Sequence, residues 1–381
     1  MTKHIAEVEL KTPAILVKEI RRNLHTTIYP PIPGSVLRGA LLTQLYPNVY
    51  QEDVAPTLRV SPLYPITEGQ VARIAHVLVF KRKGKKSSEE GAIFSTWKDP
   101  QALVKEDIVD LLPDELPGSI KSVCGKLLIR SSKGKSGFSL IEINDEYFAG
   151  PQIESVAISP YSGAYHRGML YSYETLRDGL KFRAYVYDPN DRLRDLGKHF
   201  EVSIGAWRSK GFGRAEVHLL DLSEDLHGVK PEERMRELKE LSPEGIPAIA
   251  LSPIVWGIGP TQRSVETVQD TMYAPLDTVL QKTTVSVNGI QFHVEKAYGR
   301  TMLVKGWSMK YKLPKLTLPA LSPGSIVVLK CLTDISKDEL AQILWEMETC
   351  GIGTFACIGL NWLRFATPSD LNWYIGSQDD S

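Results

Sequence analysis

The segment Gly205-Ala-Trp-Arg-Ser-Lys-Gly211-Phe-Gly213-Arg214 constrains this chain most, because a second copy of it lies 148 residues on. Adding that offset to 205, 211 and 213 gives Gly353, Gly359 and Asn361, within Gly353-Thr-Phe-Ala-Cys-Ile-Gly359-Leu-Asn361. Glycine reaches positive φ without steric cost and lets backbone approach a neighbour or ligand closely. The flanks repeat too. Leu340, Ile343, Leu344 and Met347 keep helical spacing before the second loop, with Ser336 and Glu339 as a capping box. Leu193, Leu196 and Phe200 keep near-helical spacing before the first, starting near Asp188-Pro189. Ala215, Val217 and Leu219 follow the first loop as a strand, and Leu363 and Phe365 follow the second. Helix, glycine loop and strand thus recur, which predicts a duplicated domain.

The length of 381 residues suits two domains. A hydrophobic content of 43% with 24% charged residues is ordinary for a globular chain. No apolar run is long enough to cross a bilayer, and the start lacks a signal-peptide pattern, so the expected location is cytoplasmic with no membrane partner. Cys124, Cys331, Cys350 and Cys357 form no CxxC pair, which predicts reduced thiols and neither a disulfide framework nor a zinc site. No catalytic set, metal ligand set or cofactor-binding signature is found.

The formal net charge is zero, but the charges are segregated. Lys296, Arg300, Lys305, Lys310, Lys312, Lys315 and Lys330 fall in a stretch without an acid, interleaved with Tyr298, Trp307 and Tyr311. Residues 20–51 hold Arg21, Arg22 and Arg38 with no Asp or Glu, and residues 81–86 form a basic tip. Acids gather at 99–115 and 221–244. Basic stripes with aromatic side chains fit a surface that holds a phosphate backbone and stacks bases, and a solvated lysine face is the bland alternative.

The predicted fold class is α+β, as two tandem ferredoxin-like (RRM-like) domains with a β-rich insertion in the first. The first domain covers 1–222 with the insertion at about 64–160, an acidic linker covers 223–245, and the second domain covers 246–381. Ala6 to Val17 reads as a strand, and Pro33-Gly34-Ser35 opens a helix with Val36, Leu37, Ala40, Leu41 and Leu45 on one face. Such a helix start offers free amides to an anion, with Arg38 in the first turn, although a well-capped helix is, taken alone, the better account of it. Leu170–Leu176 and Leu180–Tyr187 read as strands paired around Asp178-Gly179. Ile246–Trp256 reads as a strand, Val265–Leu280 as a helix, Thr283–Val294 as a hairpin turning at Asn288-Gly289, and Ser325–Leu332 as a strand.

Four segments carry a family resemblance. Ile32-Pro-Gly-Ser-Val-Leu-Arg-Gly39 resembles the helix start of the repeat-associated mysterious proteins (RAMPs) of CRISPR interference complexes. Leu170 to Phe182 resembles their central hairpin, and Ile204 to Arg214 their glycine-rich loop. Lys305 to Lys315, followed by Pro323-Gly-Ser325, is similar to a stretch in the subunits that cap the 5′ end of the guide RNA in type III complexes. Together these cover residues 31–46, 165–218 and 300–366.

The resemblance implies a non-catalytic RNA-binding subunit of a type III effector complex, of the large III-D kind. It would hold the repeat-derived 5′ handle of the CRISPR RNA and cap the backbone filament. Its partners would be that RNA, RAMP backbone subunits and the large polymerase-like subunit, with target RNA met indirectly. Gly34, Ser35 and Arg38 at the helix start, and Arg208, Lys210, Gly211, Gly213 and Arg214 on the loop, would meet handle phosphates. Phe212 or Trp207 would stack on a base, unless Trp207 is buried and holds the loop. Arg300, Lys305, Trp307 and Lys310 would line the path in the second half. Backbone subunits of such complexes cut target RNA with an aspartate upstream of the helix start, and residues 20–34 contain no acid. Two alternatives remain: a metal-independent repeat-processing endonuclease with His25 as general base, or a generic RNA-binding or scaffold protein. The second loop, with Asn361 for its third glycine and no basic residue over 354–358, reads as a structural turn.

Overall fold

The computed structural model describes residues 2–21, 23–46, 57–85, 92–113, 119–131, 138–158, 165–255, 283–308, 313–314 and 317–375. The architecture is α+β, dominated by antiparallel sheet with few helices. By contacts the chain divides into two units: Met1–Ala72 with Ile143–His227, and Arg73–Glu142 with Gly228–Ser381.

In the first unit the Thr2–Leu10 strand lies between Lys181–Asp188 and Arg214–Asp221, antiparallel to both. Tyr64–Thr67 flanks Lys181–Asp188, and His199–Ser203 flanks Arg214–Asp221. Period-two alternation sends Val8, Leu10, Phe182, Ala184, Val186, Ala215, Val217 and Leu219 into the core. The Gly34–Leu45 helix adds Leu37, Ala40 and Leu41 to it. Gly34 is required there, because a Cβ would lie 2.0 Å from the Val60 carbonyl oxygen.

Two sequence expectations change in this unit. Residues 170–176 and 180–187 do not pair with each other. Tyr165–Tyr173 joins Ile153–Ile158 and, in parallel, Leu24–Thr27, whereas Lys181–Asp188 joins Thr2–Leu10. Leu176 bridges both Ala14 and Ala149, so the chain passes between two sheets at the turn where a hairpin is expected. In place of the helix expected from Asp188-Pro189 to Phe200 there is a five-residue 3-10 turn, Arg192–Leu196, which Gly197 ends at φ +77°, and Phe200 lies on the following strand.

In the second unit Ile246–Ala250 lies between Ile326–Cys331 and Leu363–Phe365, and Ile290–Tyr298 flanks Ile326–Cys331. Asn288 and Gly289, both at positive φ, make the expected two-residue turn between Thr284–Val287 and Ile290–Tyr298. The Lys337–Cys350 helix starts where the Ser336 hydroxyl accepts from the Glu339 amide at 3.2 Å. The helix expected over 265–280 lies outside the described residues. In the main sheet of each unit, then, the last strand lies beside the first: Arg214–Asp221 beside Thr2–Leu10, and Leu363–Phe365 beside Ile246–Ala250.

The second unit also takes residues 73–142, which the sequence pattern places within an insertion of the first domain. They form two three-stranded sheets. Specific contacts tie them to the C-terminal part. Lys296 Nζ donates to the Leu103 and Glu106 carbonyls at 2.8 Å, and the Tyr374 hydroxyl donates to Ile74 O at 2.6 Å. Part of the acidic segment is likewise anchored. The Pro231–Leu238 helix buries Arg234, which donates to Glu348 Oε2 (3.1 Å), Asp370 Oδ2 (2.7 Å), Thr367 Oγ1 (3.1 Å) and Phe365 O (2.7 Å). Burial opposes ionisation of Asp370, yet Arg234, Arg364 and Arg73 hold it well below the usual carboxylate range.

The repeat is visible in backbone detail. Ile204 N donates to Gly213 O at 2.8 Å, and Ile352 N to Asn361 O at 3.0 Å. Gly211 N donates to Arg208 O at 3.0 Å, and Gly359 N to Ala356 O at 3.1 Å. Gly213 N donates to Pro13 O, and Asn361 N to Pro253 O. Asn361 keeps the left-handed conformation of the glycine it stands for, at φ +59° against +71° for Gly213. Asparagine tolerates that region better than most residues.

Candidate nucleic-acid interface

The glycine loop connects His199–Ser203 to Arg214–Asp221, and it lies on the surface. Two of its glycines are fixed by close packing. A Cβ on Gly205 would approach Ile15 O at 2.4 Å, and one on Gly213 would approach Ile204 O at 1.9 Å. Gly211 meets nothing within 4 Å and is needed for its φ of +90° alone. Ala206 N donates to Ile15 O at 2.8 Å, and Arg214 N to Thr12 Oγ1 at 2.9 Å, which pins both ends of the loop to residues 12–15. Between the pins, Arg208–Lys210 makes a single 3-10 turn, with Arg208, Ser209, Lys210 and Arg214 exposed. Three cations are therefore displayed on a short, anchored segment.

Trp207 is half-buried and has a left-handed backbone, φ +56°, a conformation that costs a bulky residue energy and marks a constrained position. Its ring centroid lies 4.1 Å from that of Tyr173 and 6.1 Å from that of Phe212. Lys210 Nζ sits 4.0 Å from the Trp207 ring centroid, a cation–π distance. Tyr173 stacks in turn on His25 (4.2 Å, 23°), and Tyr171 meets His25 edge-on at 6.2 Å. Tyr171, His25, Tyr173, Trp207 and Phe212 thus form one half-buried aromatic ladder. Burial, assisted by Tyr171, pushes the Tyr173 phenol above its ordinary pKa.

Local rules explain the ladder. Tyr171 and Tyr173 are two apart on a strand and so share a face. Tyr173 is in register with His25 on the parallel Leu24–Thr27 strand, and Ser172 N donates to Asn23 O at 2.8 Å. Sequence reasoning singles out His25, Trp207 and Phe212 separately and misses both tyrosines. The signal that would find them is the Tyr-Ser-Tyr alternation, which needs the strand pairing to acquire meaning.

The remaining expected residues are placed as follows. Ser35 is exposed in the first helical turn, and Gly34 is buried. Arg38 is half-buried and donates from Nε to Leu58 O at 2.9 Å, so part of its guanidinium ties the helix to the 58–60 segment. Arg300 and Lys305 are exposed in the second unit. Trp307 lies on a short strand with Ser308, and Lys310 lies outside the described residues. The ends of the basic run serve the protein itself: Lys296 holds the 103–106 carbonyls, and Lys330 pairs with Glu244 at 2.7 Å. Among the described residues, no helix is long and apolar enough to cross a membrane.

No family model and no curated protein matches this chain. Among solved structures it is similar to a chain of the type III-B Cmr-beta complex bound to cognate target RNA, at TM-score 0.46 and 14% identity over 96% of this chain and 99% of that one. It is also similar to a chain of the Csm3–Csm4 subcomplex of the type III-A CRISPR-Cas interference complex (TM-score 0.36, 12% identity, 87% and 94% covered). A third is a Cas6 product complex (TM-score 0.36, 12% identity, 96% and 100% covered). These solved neighbours thus come from type III CRISPR complexes and from Cas6.

Proposed function

We propose that this chain is a RAMP-superfamily subunit of a type III CRISPR effector complex, built from two tandem ferredoxin-like domains, which binds the CRISPR RNA without cutting it. The shared sheet order and the loop hydrogen bonds that recur at an offset of 148 support the domain reading. The observation that carries the RNA reading is the exposed loop with Arg208, Lys210 and Arg214 beside a half-buried ladder of contacting aromatic rings. Cations track phosphates and aromatic faces stack bases, which is how proteins grip single-stranded nucleic acid. In this role the chain holds the repeat-derived 5′ handle, caps the backbone filament and docks on the large polymerase-like subunit in the cytoplasm.

Sequencing the RNA that copurifies with the chain tests this directly. Short RNAs with one uniform 5′ end support the cap, heterogeneous RNA supports generic binding, and the absence of RNA supports a scaffold. Charge reversal at Arg208 and Lys210 should lower handle affinity, and unchanged affinity removes the loop from the interface. The placement of His25 inside the ladder favours one second reading, a metal-independent repeat-processing endonuclease. Specific cleavage of repeat RNA without metal, abolished in His25→Ala, would establish that reading in place of the first.

A further inference from the structure

We propose that His199, His218 and Glu216 form a site for a divalent transition metal at the base of the hairpin that carries the glycine loop. Their candidate ligand atoms all lie within 4.8 Å of one another. The strand geometry creates this convergence. His199 is directly opposite His218 in the antiparallel pair, and Glu216, two residues before His218, shares its face of the sheet. The two imidazole centroids are 4.0 Å apart with planes at 18°, and His199 Nε2 is in hydrogen-bond contact with Glu216 Oε1. Lys11 Nζ holds the other oxygen, Glu216 Oε2, at 2.6 Å and Glu9 Oε1 at 3.1 Å. The carboxylate is therefore oriented with one oxygen committed to Lys11 and the other presented to the histidines.

Two imidazoles and one carboxylate make a donor set suited to zinc, nickel, cobalt or copper, and poorly suited to magnesium or calcium, which take oxygen ligands. Both histidines are exposed, so their rings can turn until the ring nitrogens converge, and the remaining coordination positions are open to water. The bound ion joins the two strands at the end remote from the loop, so it clamps the hairpin without occupying the RNA surface. The inference is independent of the RNA reading.

Titrating chelator-treated, tag-free full-length protein with Zn2+ by calorimetry, and with Co2+ by visible absorption, tests the site. One ion per chain is expected, and His218→Gln or His199→Gln should weaken binding by at least about 10–100-fold, the loss typical even of outer partners of a metal site. Glu216→Gln should weaken it too and alter the cobalt spectrum. Circular dichroism and melting in chelator verify that each variant is folded, and either histidine variant alone suffices if the other fails. Absence of Zn2+ binding, or binding that neither histidine substitution changes, overturns the proposal. RNA affinity is not read in this experiment, so its result leaves the handle-binding reading untouched.

Discussion

His76 gives the second unit a defined sensitivity to acid. It has no solvent exposure and packs edge-on against Tyr374 (4.6 Å) and Trp97 (5.2 Å). Its Nδ1 accepts from the Leu78 amide at 3.3 Å, and Nε2 is buried without a partner among the described residues. A second proton would place a charge in this apolar box, and burial pushes the imidazole down to about 3. In the unfolded chain the same group titrates near its ordinary 6.5. Above that value neither state is protonated and His76 adds no pH dependence. Below it, the unfolded state takes up a proton that the native state refuses, so stability falls by about 1.4 kcal/mol per pH unit until the native pKa is reached. Between pH 7 and pH 5 the loss from this residue is about 2 kcal/mol. Urea unfolding followed by tryptophan fluorescence should be run at both pH values on the wild type and on His76→Phe, which cannot titrate. The difference between the two proteins isolates this residue, since all other histidines cancel. His76→Gln serves if the phenylalanine does not fit. Equal acid sensitivity in wild type and variant, or a His76 resonance that titrates above pH 5 in the native protein, would refute the reasoning.

Neutralising Arg208, Lys210 and Arg214 together should flatten the salt dependence of handle affinity, by about 0.7 in log–log slope for each phosphate left without its cation. Filter binding between about 50 and 200 mM salt measures this. Asp370→Asn should cost about 3–5 kcal/mol, because it leaves Arg234, Arg364 and Arg73 around a neutral group in a buried network. Thermal melting of the variant checks it, and a shift within error would mean that the network relaxes around the change. Gly213→Ala should destabilise more than Gly211→Ala. Both incur about 1–2 kcal/mol for a left-handed backbone, but only the first forces a Cβ to within 1.9 Å of Ile204 O.

Much of the local structure was legible in the sequence. The glycines of the loop, the Ser336 cap, the Asn288-Gly289 turn and the 148-residue repeat all rest on short-range rules. A residue that must adopt positive φ, or an amide that lacks a partner at a helix start, narrows the choice of side chain wherever the segment is placed. Even the departure from glycine at Asn361 obeys such a rule, since its backbone is left-handed. The helix expected from Asp188-Pro189 to Phe200 failed for a local reason as well: Gly197, at positive φ, ends the Arg192–Leu196 3-10 turn.

Tertiary structure alone decided which segments meet. Leu170–Leu176 and Leu180–Tyr187 read as a hairpin, yet the two strands go to different sheets: Tyr165–Tyr173 pairs with Ile153–Ile158 and Lys181–Asp188 with Thr2–Leu10. Residues 73–142 join the C-terminal half through backbone carbonyls that accept from Lys296 and Tyr374, contacts invisible to composition. The Trp207–Tyr173–His25 contacts and the His199–Glu216–His218 cluster likewise depend on strand register between distant positions. The one-dimensional chain carries the conformational demands of each residue. Which side chains share a face, and so what chemistry they perform together, follows from long-range pairing of strands, whose register is set by burial of the whole sheet.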